Sequence, residues 1–286
     1  MKRIFLLLAA VVVAAPAFSA SVWKVSKGES TIFVGGTLHL LSEGDYPLPT
    51  PYEIAFDKAS SIVLETDLDA VNSPAFSQQL LQQLSYSDGS TIQSHLSEDT
   101  YNALASHFAS RGWPIESVSL LKPQLVSLTL TIGELQRLGL TLEGVDSHYA
   151  QKAKGAGKTL AWLESPEQQL AFIVAMGEDD PDGLIQYTLE DIKTLPENLS
   201  LMKDYWFKGD LKGMTTDILD VFAKDYPEVY KSILVERNHN WLPHLISFFD
   251  SPEVEFVLVG ALHLPGNGGV LALLEAQGYT VEKVKG

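Results

Sequence analysis

Leu258-Val259-Gly260-Ala261-Leu262-His263-Leu264 decides the fold, because it repeats the design of Val34-Gly35-Gly36-Thr37-Leu38-His39-Leu40 near the other end of the chain. Each is an apolar β-type run, then a glycine, then a histidine three residues on. In α/β sheets ligands gather outside the carboxyl ends of strands, where the chain leaves the sheet and exposes backbone and loop side chains. Glycine at that exit permits a sharp turn or a close approach to a ligand. Two strands running the same way would therefore carry His39 and His263 to one rim, although they lie 224 positions apart. Ser61-Ile62-Val63-Leu64 is a compact apolar run that ends on Glu65, so the same rim would receive a carboxylate. Two imidazoles and a carboxylate can hold a divalent metal or form an acid/base set.

Around these runs the pattern is α/β at both ends and helical between. Val22–Val25 and Thr31–Gly35 flank Ser26-Lys27-Gly28-Glu29-Ser30 as a hairpin, and Glu255–Val259, a helix from the glycine-rich 266–269 segment to Ala276, and Tyr279–Val284 form a strand-helix-strand crossover. From about 75 to 250 the periodicity is helical. Ser97-Glu98-Asp99, Pro123 and Ser165-Pro166-Glu167 mark helix starts, and further helices are expected over 184–194, 198–207, 211–223 and 226–248. Lys158–Leu163 interrupts them with a strand-like run. The expected architecture is a mixed, partly parallel sheet split between 22–70 and 251–286, with a mainly helical insertion, about 71–250, capping the strand ends. Residues 21–286 would form a single domain.

The 286 residues carry 20 Lys plus Arg against 36 Asp plus Glu, a net charge of −16, with no basic cluster to track phosphates. Nucleic acid is thereby an unfavourable partner, and so is an anionic lipid surface. Lys2-Arg3, the apolar run Ile4–Ala15 and the small residues before Ala20 read as a secretory signal peptide over residues 1–20, directing the chain to a periplasm or the medium without a stable membrane anchor. There is no cysteine, which excludes disulfides, thiolate nucleophiles and cysteine-ligated metals.

Taken together, Gly36-Thr37-Leu38-His39, Gly260-Ala261-Leu262-His263, Glu65 and Glu236-Arg237-Asn238-His239-Asn240-Trp241 resemble the TraB/PrgY/GumN family, which includes the Tiki metalloproteases. Gly144-Val145-Asp146, Leu163-Glu164 and Gln169-Leu170 resemble that family's middle section, and the similarity runs over about 22–284. The resemblance implies a fold akin to the erythromycin-esterase and ChaN group and, by its Tiki branch, a peptidase using manganese or cobalt, with zinc as a further candidate. By the same resemblance His39, His263 and Glu65 would be metal ligands, Gly36 and Gly260 the motif glycines, and Glu65, Arg237 and Asn238 the catalytic polar groups. The substrate would be a peptide or a small molecule. A metal-free hydrolase with histidine as general base, and a non-catalytic protein that binds peptide or haem, are the rival readings. The chain has no His-Glu-x-x-His helix, so ordinary zincin chemistry does not apply.

Other chemistry-bearing residues have plainer expectations. Asp146 is expected to cap a helix, and Glu164 to end a strand in the same structural manner. His95, His107, His148, His239 and His244 are expected on helical surfaces, Gly266–Gly269 as a turn, and Trp113, Trp162, Trp206 and Trp241 in core or groove.

Overall fold

The computed structural model describes residues 19–286, so the signal-peptide expectation lies outside the described residues except for Ser19 and Ala20. Six strands form one sheet: β1 (Ser19–Lys27), β2 (Ser30–Thr37), β3 (Ser61–Leu64), β4 (Thr159–Trp162), β5 (Glu255–Gly260) and β6 (Thr280–Lys285). Their spatial order is β4-β3-β5-β2-β1-β6. β4, β3, β5 and β2 are mutually parallel, while β1 runs antiparallel to β2 and β6. The sheet is thus mixed, as the sequence implies, and its four parallel strands all end at one rim.

Strand alternation builds the two layers beside the sheet. Phe33, Ile62, Leu64, Phe256 and Leu258 point into a core shared with Tyr52, Val145, Tyr149 and Trp206. Their neighbours Val34, Val63, Val257 and Val259 point to the other face, against Trp241, Leu245 and Leu271. The first layer contains α1 (Thr50–Lys58) and, further along, α4 (Val145–Ala156); a third core, with Leu104, Val126, Leu130 and Ile185, lies among α2 (Glu98–Ser110), α3 (Pro123–Arg137) and the start of α6 (Pro181–Lys208). Helix α5 (Pro166–Ala175) follows β4, starting with a Ser165 cap completed by Gln168. The second layer is α7 (Glu236–Ser247) and α8 (Val270–Ala276).

Three details differ from expectation. First, β4, inside the segment expected to be an insertion, pairs with β3 through Ile62 and Leu160, and α4 packs on the sheet, so the core is assembled from three stretches of chain rather than two. Second, the helices expected over 184–194 and 198–207 are one continuous helix, α6, which passes through Pro196. Proline normally breaks a helix interior by removing one hydrogen bond and crowding the preceding turn. Here Ile185, Leu189 and Ile192 are fixed in the third core and Trp206 in the first, so burial at both ends holds the helix through the break. Third, Trp162 is exposed on the edge strand rather than in core or groove. Among the described residues no helix is long and apolar enough to cross a membrane.

Candidate functional site

The rim receives one polar side chain from each parallel strand: His39 after β2, Glu65 after β3, Glu164 after β4 and His263 after β5. Gly260 is where three of them meet. A methyl group placed on its Cα would lie 3.2 Å from Glu65 Oε1, 3.4 Å from His263 Cδ2 and 3.8 Å from His39 Nε2. Glycine there leaves the interior of the site open, and its own N–H donates to Glu65 Oε1 at 2.6 Å.

The two histidines are held in opposite ways. His39 Nδ1 lies 2.8 Å from Asp146 Oδ2, so it donates its proton to the carboxylate and leaves Nε2 towards Gly260. Its side chain is 61% exposed. The Asp146 charge raises its pKa against the opposing effect of desolvation, to about 9. Solvent on the open face of the ring screens that pair. His263 is buried; its Nδ1 lies 2.6 Å from Asn238 Oδ1, while Arg237 Nη1 approaches Nε2 at 3.2 Å. Arginine nitrogens only donate, so Nε2 is the acceptor and Nδ1 carries the proton. Burial lowers the pKa of His263 to about 3 against the pull of Glu65, and the ring is neutral at physiological pH.

Arg237 is the hub of the buried half. Its Nε donates to Glu164 Oε1 at 2.9 Å and its Nη2 to Glu164 Oε2 at 2.9 Å and to Glu65 Oε2 at 2.6 Å. Nη1 serves the carbonyl of Ile233 at 3.3 Å, besides His263. Ile233 sits in a π-helical turn, Lys231–Val235, that runs directly into α7. All five N–H groups of the guanidinium therefore have protein partners. The rings of Phe172 and Trp241 lie 5.4 and 4.8 Å from its carbon. Burial works to protonate Glu65, but the charges of His263, Arg237 and His39 and the Gly260 N–H outweigh it and lower its pKa to about 2. Because His263 is neutral above about pH 3, Arg237 is the permanent cation of this group.

Two residues of the site carry more than their sequence context suggested. Asp146 is not the helix cap; Gly144 occupies the cap of α4, and Asp146, one residue inside the helix, orients His39. Glu164 is buried and also accepts from the Trp241 indole at 2.8 Å and from Gln169 Nε2 at 2.8 Å. The signal that marks Glu65, an apolar strand closed by an acid, is present again in Leu160-Ala161-Trp162-Leu163-Glu164. Of the expected polar groups, Asn238 touches His263 through its carbonyl oxygen and donates to the carbonyl of Gly268 at 2.8 Å, which makes it a positioning residue.

As arranged, the donors do not fit a resident divalent ion. Arg237 already holds Glu65 Oε2 and His263 Nε2, placing a fixed positive charge where an ion would have to sit. His263 Nε2 and Glu65 Oε1 are 4.0 Å apart. Among the described residues no three His, Asp or Glu side chains stand close enough to share one ion.

Comparison with known proteins gives a consistent placement. A sequence profile described as the TraB/PrgY/gumN family matches residues 21–283. The chain is 25% identical over 240 residues to the protein named Uncharacterized protein YbaP of Escherichia coli (strain K12), covering 84% of this chain and 86% of that one, and equally to the protein of that name from Shigella flexneri. No solved structure matches the chain significantly.

Proposed function

This chain belongs to the TraB/PrgY/gumN family, and on that premise we propose that it is an exported hydrolase of peptide or ester bonds in which His39 activates water. The observation that carries this reading is the pairing of His39 with Asp146 at 2.8 Å, with Nε2 directed to the space around Gly260. In the fraction of molecules whose His39 is neutral, which grows as pH rises towards about 9, Nε2 takes a proton from water, the resulting hydroxide adds to the substrate carbonyl, and the imidazolium returns the proton to the leaving group. Asp146 fixes the tautomer and stabilises the imidazolium. Glu65, Glu164, Arg237 and His263 form the charge-compensated floor. Since the guanidinium has no N–H to spare, Arg237 acts as a positioning residue that keeps Glu65 ionised and His263 neutral.

The reading is tested on the secreted form of the chain with p-nitrophenyl esters and fluorogenic peptides, in the presence and absence of EDTA. Turnover that survives the chelator and falls by roughly a hundredfold or more in His39→Ala is expected. Absence of turnover on every substrate, or equal rates in His39→Ala, would overturn it.

A metal-dependent peptidase is the second reading, favoured by one observation. Both histidines have Nδ1 tied by a side-chain oxygen, the arrangement that commonly orients metal-ligating imidazoles. With His39, His263 and Glu65 as ligands of manganese, cobalt or zinc, it requires Arg237 to release His263. Loss of activity on chelation, with metal content that falls in His39→Ala and His263→Ala, would select it.

A further inference from the structure

A cavity of about 510 Å³ lies between α2, α3 and α6 and shares no residue with the rim. Its polar wall includes His107, Arg111 and Arg137; its apolar wall includes Leu189, Ile192 and Pro196. The described chain contains three arginines, and the two that do not serve the rim converge here.

Both are anchored on one carboxylate. Glu134, 1% exposed, accepts from Arg111 Nε at 2.5 Å and from His107 Nε2 at 3.0 Å with Oε1, and from Arg137 Nε at 2.8 Å with Oε2. Gripping each guanidinium by Nε leaves its terminal nitrogens unspent. Among the described residues, Arg111 Nη2 and both terminal nitrogens of Arg137 have no protein acceptor, and Arg111 Nη1 reaches only Ser110 Oγ at 3.4 Å. Lys193 pairs with Glu190 at 2.5 Å on the same wall, so with Glu134 behind the lining counted in, three cations stand against two carboxylates. One uncancelled positive charge inside a chain of net charge −16 is a local reversal of field that favours an anion.

We propose that this cavity binds a monocarboxylate carried on an apolar body. Two guanidiniums fixed by Glu134 present planar forks that match the two oxygens of a carboxylate. Leu189, Ile192 and Pro196 supply the surface for the apolar portion, and the volume lies within the range of small-molecule sites. Pro196 has no N–H to return to the Ile192 carbonyl, which leaves that carbonyl without its usual helical donor. A fatty acid and the C-terminus of a peptide ending in an apolar residue share the carboxylate chemistry; only the peptide has an amide N–H. The site is independent of the hydrolase reading, since none of its residues reaches the rim.

Isothermal titration of the whole secreted chain separates the possibilities, using dodecanoate and N-acetyl-Ala-Ala-Leu with dodecanol and N-acetyl-Ala-Ala-leucinamide as neutral counterparts. At least one carboxylate is expected to bind, roughly tenfold or more tighter than its neutral counterpart. Preference for the peptide identifies a site for a peptide C-terminus; preference for dodecanoate identifies a fatty-acid site. Arg137→Gln, at a half-exposed position, should weaken that binding roughly tenfold or more while the melting temperature holds, and Arg137→Lys should fall between. No binding of either carboxylate, equal binding of the neutral compounds, or an unchanged affinity in Arg137→Gln would overturn the proposal.

Discussion

Replacing Asp146 by Asn keeps the shape of the side chain and an oxygen able to accept from His39 Nδ1, but removes the charge. The ion pair spans 2.8 Å. Screened as fully as in bulk water, it is worth about 1.5 kcal/mol, or about one pKa unit. Partial shielding by α4 increases that figure, and the structure's value for His39, about 9 against an ordinary 6.5, sets the upper end. Histidine-selective NMR titration should therefore show His39 titrating well above 6.5 in the wild type and at least about one unit lower in Asp146→Asn. The folded-state pKa is raised, so the stability contributed by the pair is full below pH 6.5 and is lost as pH rises through about 9. Wild type and variant should accordingly differ most in denaturation midpoint near pH 6 and converge above pH 9. Coincident titration curves for the two proteins would show that the pairing does not exist in solution, and the water-activation scheme would lose its base.

Three other perturbations probe the buried half of the rim. Arg237→Met strands Glu164 and Glu65 without their cation, and urea denaturation at neutral pH should show a loss of about 3–5 kcal/mol; a loss under about 1 kcal/mol would mean that the carboxylates find other partners. Gly260→Ala puts a methyl group among Glu65, His263 and His39, so turnover should fall by roughly tenfold or more with little change in melting temperature, and an unaltered rate would show that this space is not used by substrate. His263 has a folded pKa near 3 against 6.5 when free, so the unfolded chain takes up its proton first and stability declines as pH falls from 6.5 towards 3. His263→Gln should flatten that limb of the acid-denaturation curve, and an unchanged slope would place the titration elsewhere.

What the sequence disclosed about the rim was what strands record locally. A glycine after an apolar run and an acid closing one are readable within a few residues, and both Gly-x-x-His elements and Glu65 do meet around Gly260. Glu164 closes a run of the same kind, yet Ser165-Pro166-Glu167 beside it gives so strong a helix start that the acid reads as part of a cap. Its role depends on β4 pairing with β3, a contact between residues almost a hundred positions apart that leaves no local trace. Asp146 was hidden for a related reason: a Cβ on Gly144 would run into the backbone of Leu38 and His39, so the true cap is chosen by a close approach of distant chain segments rather than by side-chain propensity.

The period of two along a strand explains why these omissions fall where they do. Leu38 and Leu64 belong to the first layer and Val63 and Val259 to the second, so chain leaving the rim can reach either side of the sheet. His39 turns to α4 and its Asp146, while Glu65 turns to α7 and its Arg237. The site consequently straddles the sheet edge. Its half on the α4 side is exposed and titrates above the ordinary histidine range, and its half on the α7 side is buried and locked in one charge state by five guanidinium contacts. Each histidine thus draws its protonation from a different helical layer, and the helices that do so, α4 and α7, both come from the segment between the two Gly-x-x-His elements. The motifs mark where the imidazoles stand; the intervening chain decides that one of them can take a proton and the other cannot.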